Sequence, residues 1–139
     1  MKRVHVAVAV IVSPQHQILI AKRPDDKHQG GLWEFPGGKV EAEETTQDAL
    51  VRELREEVGL STRTDHMVTL VDIHYDYPDK QVFLDVWWVE VSEQAMEQAH
   101  GAEGQAIAWV GVDQLSEYEF PAANQPILDA IAQRFGAAF

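Results

Sequence analysis

The chain has no cysteine among its 139 residues. Disulfides, thiolate nucleophiles and cysteine-ligated zinc are therefore excluded, and a reducing compartment fits. Cations are scarce as well: 11 Lys and Arg stand against 23 Asp and Glu, a net charge of −12. A duplex nucleic-acid binder normally carries a basic surface, so no duplex partner is expected. A polyphosphate would be repelled by this surface unless cations neutralised it, which points to Mg²⁺, with Mn²⁺ as a substitute. No apolar run is long enough to span a bilayer. The start, MKRVHVAVAVIV, is basic and then apolar like a secretion signal, but His5 interrupts it and no small-residue cleavage site follows. It reads as a strand of a cytoplasmic protein without a membrane partner. Repeats, linkers and low-complexity segments are also lacking, and one domain over 1–139 is expected, large enough to bury a proper core.

What is present is a clear alternation of strand and helix signals. Val4, Val6, Val8, Val10 and Val12 recur at period two with small or apolar alternates, as in a strand covered on both faces. A turn at 13–16 leads to a second strand at 17–23, its expected hairpin partner. Residues 24–31 read as a loop, 32–35 as a short extended piece, and Pro36-Gly37-Gly38 as a glycine turn. A helix is expected from Thr45 or Thr46 to Gly59, with either threonine as cap. Strands follow at 67–77 and 81–91, joined through 78–80, then a polar connection with helical character at 94–100, and a last strand at 106–112. A second amphipathic helix over 125–135 would turn Ile127, Leu128, Ile131 and Phe135 inward, with Pro126 tolerated in its first turn. Strands with separated helices give an α/β sandwich, a mixed sheet covered by helices.

The chemistry concentrates in GKVEAEETTQDALVRELREEVGL, residues 38–60. Glu53, Glu56 and Glu57 stand at i, i+3 and i+4, so three carboxylates project from one helical face. A hard divalent cation, which prefers oxygen ligands, would compensate their repulsion. Leu50, Val51, Leu54 and Val58 fall on another sector, suited to packing. A mixed-charge helix is more often a solvated surface, with Arg52 and Arg55 neutralising their neighbours. The pattern is longer than that reading needs. Gly38, Glu44, Arg52, Glu53, Leu54, Glu56, Glu57, Gly59 and Leu60 fill G-x5-E-x7-R-E-(apolar)-x-E-E-x-G-(apolar) without a miss. This resembles the signature of the Nudix hydrolases, which cleave a nucleoside diphosphate linked to another group. The resemblance implies the Nudix-type α/β/α sandwich with a mixed central sheet.

The runs LWEFPGGK (32–39), YPDK (77–80), EGQ (103–105) and FPAANQP (120–126) extend the likeness to the bacterial MutT group, over nearly the whole chain. Those enzymes hydrolyse 8-oxo-dGTP to the monophosphate and pyrophosphate. The resemblance implies that Glu53, Glu56 and Glu57 hold the metal, with the Gly37 carbonyl and the Glu103 carboxylate as further ligands. One of these carboxylates, Glu53 foremost, would be the general base for the attacking water. Glu44 and Arg52 would brace the loop–helix junction. Substrate contacts would come from Arg23, His28, Glu34, Phe35, Pro36, Gly37, Lys80 and Asn124. The Asn124 amide can read a purine edge as donor and acceptor, although its place before Pro126 also suits a helix cap. Phe35, at a strand end, suits a pocket wall or the core. Two positions depart from the group: Lys80 stands where arginine is usual, and Asp85 lies where an aromatic is usual, between Phe83 and Trp87. The sequence offers no account of Asp85. Three alternatives remain: a pyrimidine nucleotide pyrophosphatase, a Nudix-like binding module without catalysis, and an acidic adaptor. A monomer acting on a small nucleotide is the expectation.

Overall fold

The computed structural model describes residues 2–23 and 31–136. Its centre is β1 (Lys2–Val12), the valine-rich segment whose period of two exposes alternate residues to opposite layers. The chain continues through β2 (Gln17–Lys22), β3 (Trp33–Glu34), β4 (Gly37–Lys39) and α1 (Thr46–Val58). There follow β5 (Met67–Tyr77), β6 (Lys80–Glu90), α2 (Glu93–Gln98), β7 (Ile107–Gly111) and α3 (Gln125–Phe135). Short 3-10 turns at Ala102–Gly104 and Ala122–Asn124 precede β7 and α3.

The strands form one sheet in the order β3-β2-β1-β6-β5, with β4 on β1 and β7 on β2. β1 runs parallel to β6 along its whole length, from Lys2↔Lys80 to Val12↔Glu90, while β2 and β4 pair with it antiparallel. The sheet is therefore mixed. On one face Val8, Val10 and Val12 pack with Ile18, Ile20, Val86, Trp88 and the α3 residues Ile127 and Ile131. On the other, Ala7, Ala9 and Ile11 meet Leu19 and the α1 residues Leu50, Leu54 and Val58. The two helices cover opposite faces, which is the expected α/β/α sandwich. Each fully buried Leu or Ile in these layers stabilises the fold by about 1.5–3 kcal/mol.

Both ends of α1 are stopped by the residues the sequence offers. Thr45 accepts from the Asp48 N–H through its side chain, and Gly59 takes the left-handed conformation at φ 67° with its N–H on Leu54 O. The glycine segment differs from expectation: residues 37–39 are not a turn but the strand β4, in register Val8↔Gly37 and Ala7↔Gly38. A Cβ on Gly37 would run into the Ala7 carbonyl, so the missing side chain lets two backbones close on each other. Lys80, expected in a turn, is already the first residue of β6. Among the described residues no helix is long and apolar enough to cross a membrane.

Candidate active site

β4 brings its glycines under the acidic sector of α1. The Gly37 N–H donates to Glu57 Oε2 at 3.0 Å. The Glu53 carboxylate lies against the Cα of Gly38, where any Cβ would collide with it. Arg52 then fixes Glu53 from the helix side, donating Nη1 to Glu53 Oε1 at 2.7 Å. The same guanidinium grips Glu44 with two nitrogens, Nε to Oε2 at 2.8 Å and Nη2 to Oε1 at 2.9 Å, and reaches the Lys39 carbonyl at 3.1 Å. Such forked, charge-assisted bonds are the strong and directional kind. They hold the Glu44 carboxyl down at about 2, far below its ordinary value. The brace expected of Glu44 and Arg52 is thus formed, and it extends to Glu53.

The electrostatics of Glu57 are the reverse. Burial pushes its carboxyl up to about 7, outweighing the Gly37 hydrogen bond that favours the charged form. The charges of Glu53, Glu34 and Glu56 push it further in the same direction. Glu34, on β3, therefore belongs to the same field as the three helix carboxylates. Its partner is Arg23, whose Nη1 donates to Glu34 Oε2 at 2.8 Å. Glu56 is exposed, with Arg52 Nη1 at 3.8 Å.

Among the described residues no three acidic or histidine side chains are gathered closely enough to grip an ion. The donor set nonetheless suits a hard cation. It consists of carboxylate oxygens and a bare glycine backbone, buried and then crowded so that Glu57 resists ionising without added positive charge. Glu103 sits in the turn Ala102–Gly104, which is docked beside the end of α1 by the His100 N–H on the Val58 carbonyl at 3.0 Å. The Glu103 side chain and His28 lie outside the described residues.

Of the remaining candidates, Phe35 takes its core option and belongs to the α3-side core. It is 6% exposed and stacks on Phe120 at 5.0 Å. Pro36 is buried and its carbonyl accepts the Ala9 N–H at 2.8 Å. Asn124 is half-buried in the turn just after Phe120, and its side chain makes no cap hydrogen bond to α3. The capping alternative is therefore not realised. Lys80 pairs with Lys2, six residues along β1 from the Val8 that pairs with Gly37, roughly 20 Å at a strand's rise. Its ammonium lies over the Tyr77 ring at 5.3 Å. The structure does not bring it to the glycine strand.

Two features escaped the sequence reading. Phe120 was visible only as part of a motif, yet it is the partner that roofs Phe35. Asp85 was an unexplained departure. It is 8% exposed and accepts from Thr46 Oγ1 at 2.8 Å, Trp87 Nε1 at 2.8 Å and His5 Nε2 at 3.0 Å. A lone acid in an apolar strand and a histidine breaking the valine run were the two signals, and nothing in one dimension said they met.

A mixed sheet between two helical layers, with an acidic helix laid over a glycine strand, describes a class of hydrolase fold. The NUDIX domain family matches residues 7–130, and the chain belongs to that family, the Nudix hydrolases. It is 38% identical over 128 residues to the 8-oxo-dGTP diphosphatase of Escherichia coli K12, covering 92% of this chain and 95% of that protein. It is also 38% identical over 130 residues to the CTP pyrophosphohydrolase of the same organism, covering 94% and 92%. Among solved structures, a MutT studied from the fish pathogen Aliivibrio salmonicida and from Vibrio cholerae superposes with a TM-score of 0.78 at 40% identity. That match covers 95% of this chain and 99% of the other. Nudix hydrolases depend on a divalent metal, a requirement the oxygen-rich field around Glu57 suits.

Proposed function

We propose that the protein, as a single domain over 1–139, is a Mg²⁺-dependent nucleoside triphosphate pyrophosphohydrolase. Its substrate is 8-oxo-dGTP, released as 8-oxo-dGMP and pyrophosphate, in sanitation of the nucleotide pool and avoidance of mutation. It works as a cytoplasmic monomer. Glu53, Glu56, Glu57, the Gly37 carbonyl and Glu103 would hold the metal, for which Mn²⁺ can substitute. When bound, Mg²⁺ supplies neutralisation of the polyphosphate and activation of the attacking water.

The chain's own residues do the rest. Glu53, clamped by Arg52 and pressed against Gly38, takes the proton from water as the α–β phosphoanhydride opens. Arg23, on the far side of Glu34, binds phosphate or nucleotide with a planar fork. His28, Glu34 and Gly37 border the base, with the buried Phe35 and Pro36 packed behind them. The observation that carries the substrate is Asn124. Its amide is not spent on capping α3, and it lies in the turn that follows Phe120, available to pair with a purine edge.

A second reading has a specific observation in its favour: the CTP pyrophosphohydrolase is as similar as the 8-oxo-dGTP diphosphatase. One panel separates them. Pyrophosphate release from 8-oxo-dGTP, dGTP, dCTP and 5-methyl-dCTP is followed with Mg²⁺, and 8-oxo-dGTP should give the highest kcat/KM. A pyrimidine that wins by a wide margin would replace the substrate and leave the chemistry in place.

A further inference from the structure

The buried carboxylate of Asp85 lies outside every role assigned so far, yet its hydrogen bonds cross three elements. Asp85 is on β6, in register with Ala7 of the parallel β1. One of its oxygens, Oδ2, takes both the Thr46 hydroxyl at 2.8 Å and His5 Nε2 at 3.0 Å; Oδ1 takes Trp87 Nε1 at 2.8 Å. Thr46 is the first residue of α1, next to the capping Thr45. The sheet is thus tied by a side chain to the first turn of the helix that carries Glu53, Glu56 and Glu57. The tie itself is stiff. His5 stacks on Phe83 at 4.8 Å and 12°, and Phe83 on His74 at 4.7 Å and 2°, so three rings on three strands hold the imidazole beside Asp85. Thr46 Oγ1 is also 3.4 Å from His5 Nε2.

The location matters because α1 meets the sheet through apolar side chains alone over Ala7, Ala9, Ile11 and Leu19, with Asp85 beside them as a polar contact to its first turn. Apolar burial is non-directional and by itself singles out no one partner atom for the helix end. A hydrogen bond to a buried acceptor does single one out. The Thr46–Asp85 bond therefore fixes the first turn of α1 to the sheet, while the Gly37–Glu57 and Arg52–Lys39 bonds tie its later turns to β4.

We propose that Asp85, acting through Thr46 with His5 as its clamp, is a positioning residue that places the acidic helix over the glycine strand for metal binding. This rests on the metal role assigned to those carboxylates under the function proposed above. Three variants separate positioning from stability. Thr46→Val removes the hydroxyl and keeps the shape; Thr46→Ser keeps the hydroxyl; Trp87→Phe removes a bond to Asp85 that does not reach the helix. Mn²⁺ affinity is measured by electron paramagnetic resonance, with unfolding temperature and nucleotide kcat and KM alongside. Thr46→Val should weaken Mn²⁺ and lower kcat by about tenfold, the lower end for a residue that orients ligands, with KM within about twofold. Thr46→Ser should retain both. Trp87→Phe should lower the unfolding temperature and leave Mn²⁺ affinity unchanged. If Thr46→Val matches wild type in Mn²⁺ affinity, or loses no more than Trp87→Phe, the inference is overturned. A wild-type protein that binds Mn²⁺ but releases no pyrophosphate from any triphosphate would instead overturn the function.

Discussion

Arg52 donates Nη1 to Glu53 Oε1 at 2.7 Å, so the residue just before the assigned base is also the one that aims it. The remaining nitrogens of the same guanidinium are committed to Glu44 and the Lys39 carbonyl. Lysine has one ammonium and cannot serve all three. Arg52→Lys should therefore reduce kcat by roughly 10–100-fold, the range for loss of a residue that orients a metal ligand, despite its conserved charge. Steady-state kinetics with a circular dichroism control would check this; activity within twofold of wild type would remove Arg52 from the machinery.

The same fork predicts an acid limit. Glu44 titrates at about 2 in the folded protein against an ordinary 4.5, so its folded pKa is depressed. The stabilisation it provides is complete above 4.5 and is lost as pH falls through 2. Thermal unfolding of wild type and Glu44→Gln should differ by a constant amount at neutral pH, and the gap should shrink steadily as pH falls from 4.5 toward 2. A gap that stays constant across that range would contradict the assignment.

Glu57 behaves in the opposite sense. Its folded pKa is raised from 4.5 to about 7, so in chelator-treated protein its contribution is full below 4.5 and lost as pH rises through 7. Glu57→Gln should flatten that decline. A cation that takes the carboxylate must displace the proton, so Mn²⁺ binding at pH 7 should release about half a proton from this group. Calorimetry in buffers of different ionisation enthalpy measures it, and equal heats in all buffers would refute it.

The two glycines of β4 should fail differently when given a methyl group. Gly37→Ala collides with the Ala7 carbonyl and the Val8 Cα, backbone that cannot retreat, so it should destabilise the fold. Gly38→Ala meets the Glu53 carboxylate first, the end of a side chain that can swing away by giving up its Arg52 bond. It should keep its unfolding temperature near wild type and lose most of its kcat. Paired melting curves and kinetics on the two variants test this contrast.

Asn124→Ala separates recognition from capping. A side-chain cap lost from α3 would cost about 1 kcal/mol. Since Asn124 makes no such bond, urea unfolding should register less than that, while preference for 8-oxo-dGTP over dCTP should drop. A full capping loss with unchanged preference would reverse the reading.

Legibility from the sequence followed the range of the interactions. Gly59 as the end of α1 could be read directly and its start narrowed to Thr45 or Thr46, of which Thr45 is the cap, because caps depend on residues within a turn of each other. The valine alternation of β1 gave the strand and its two covered faces for the same reason. Gly37 and Gly38 were misread as a turn because two glycines permit both a turn and a close strand pairing, and only β1 across the gap decides. Asp85 could not be read at all. Its three donors come from residues 5, 46 and 87, brought together by a parallel pairing and a helix crossing that no local pattern encodes. The Glu53–Arg52–Glu44 fork was partly legible, since the family motif names its members and leaves their bonding geometry unstated.

The alanines under α1 have an implication for how such an enzyme could be retuned. Ala7 and Ala9 have no exposed surface and are the smallest residues of the sheet layer on which the acidic helix sits. One extra methylene there would work as a shim, lifting every acid on that helix together by a fraction of an ångström. Turnover could in this way be graded from beneath the sheet, by residues that meet neither nucleotide nor ion.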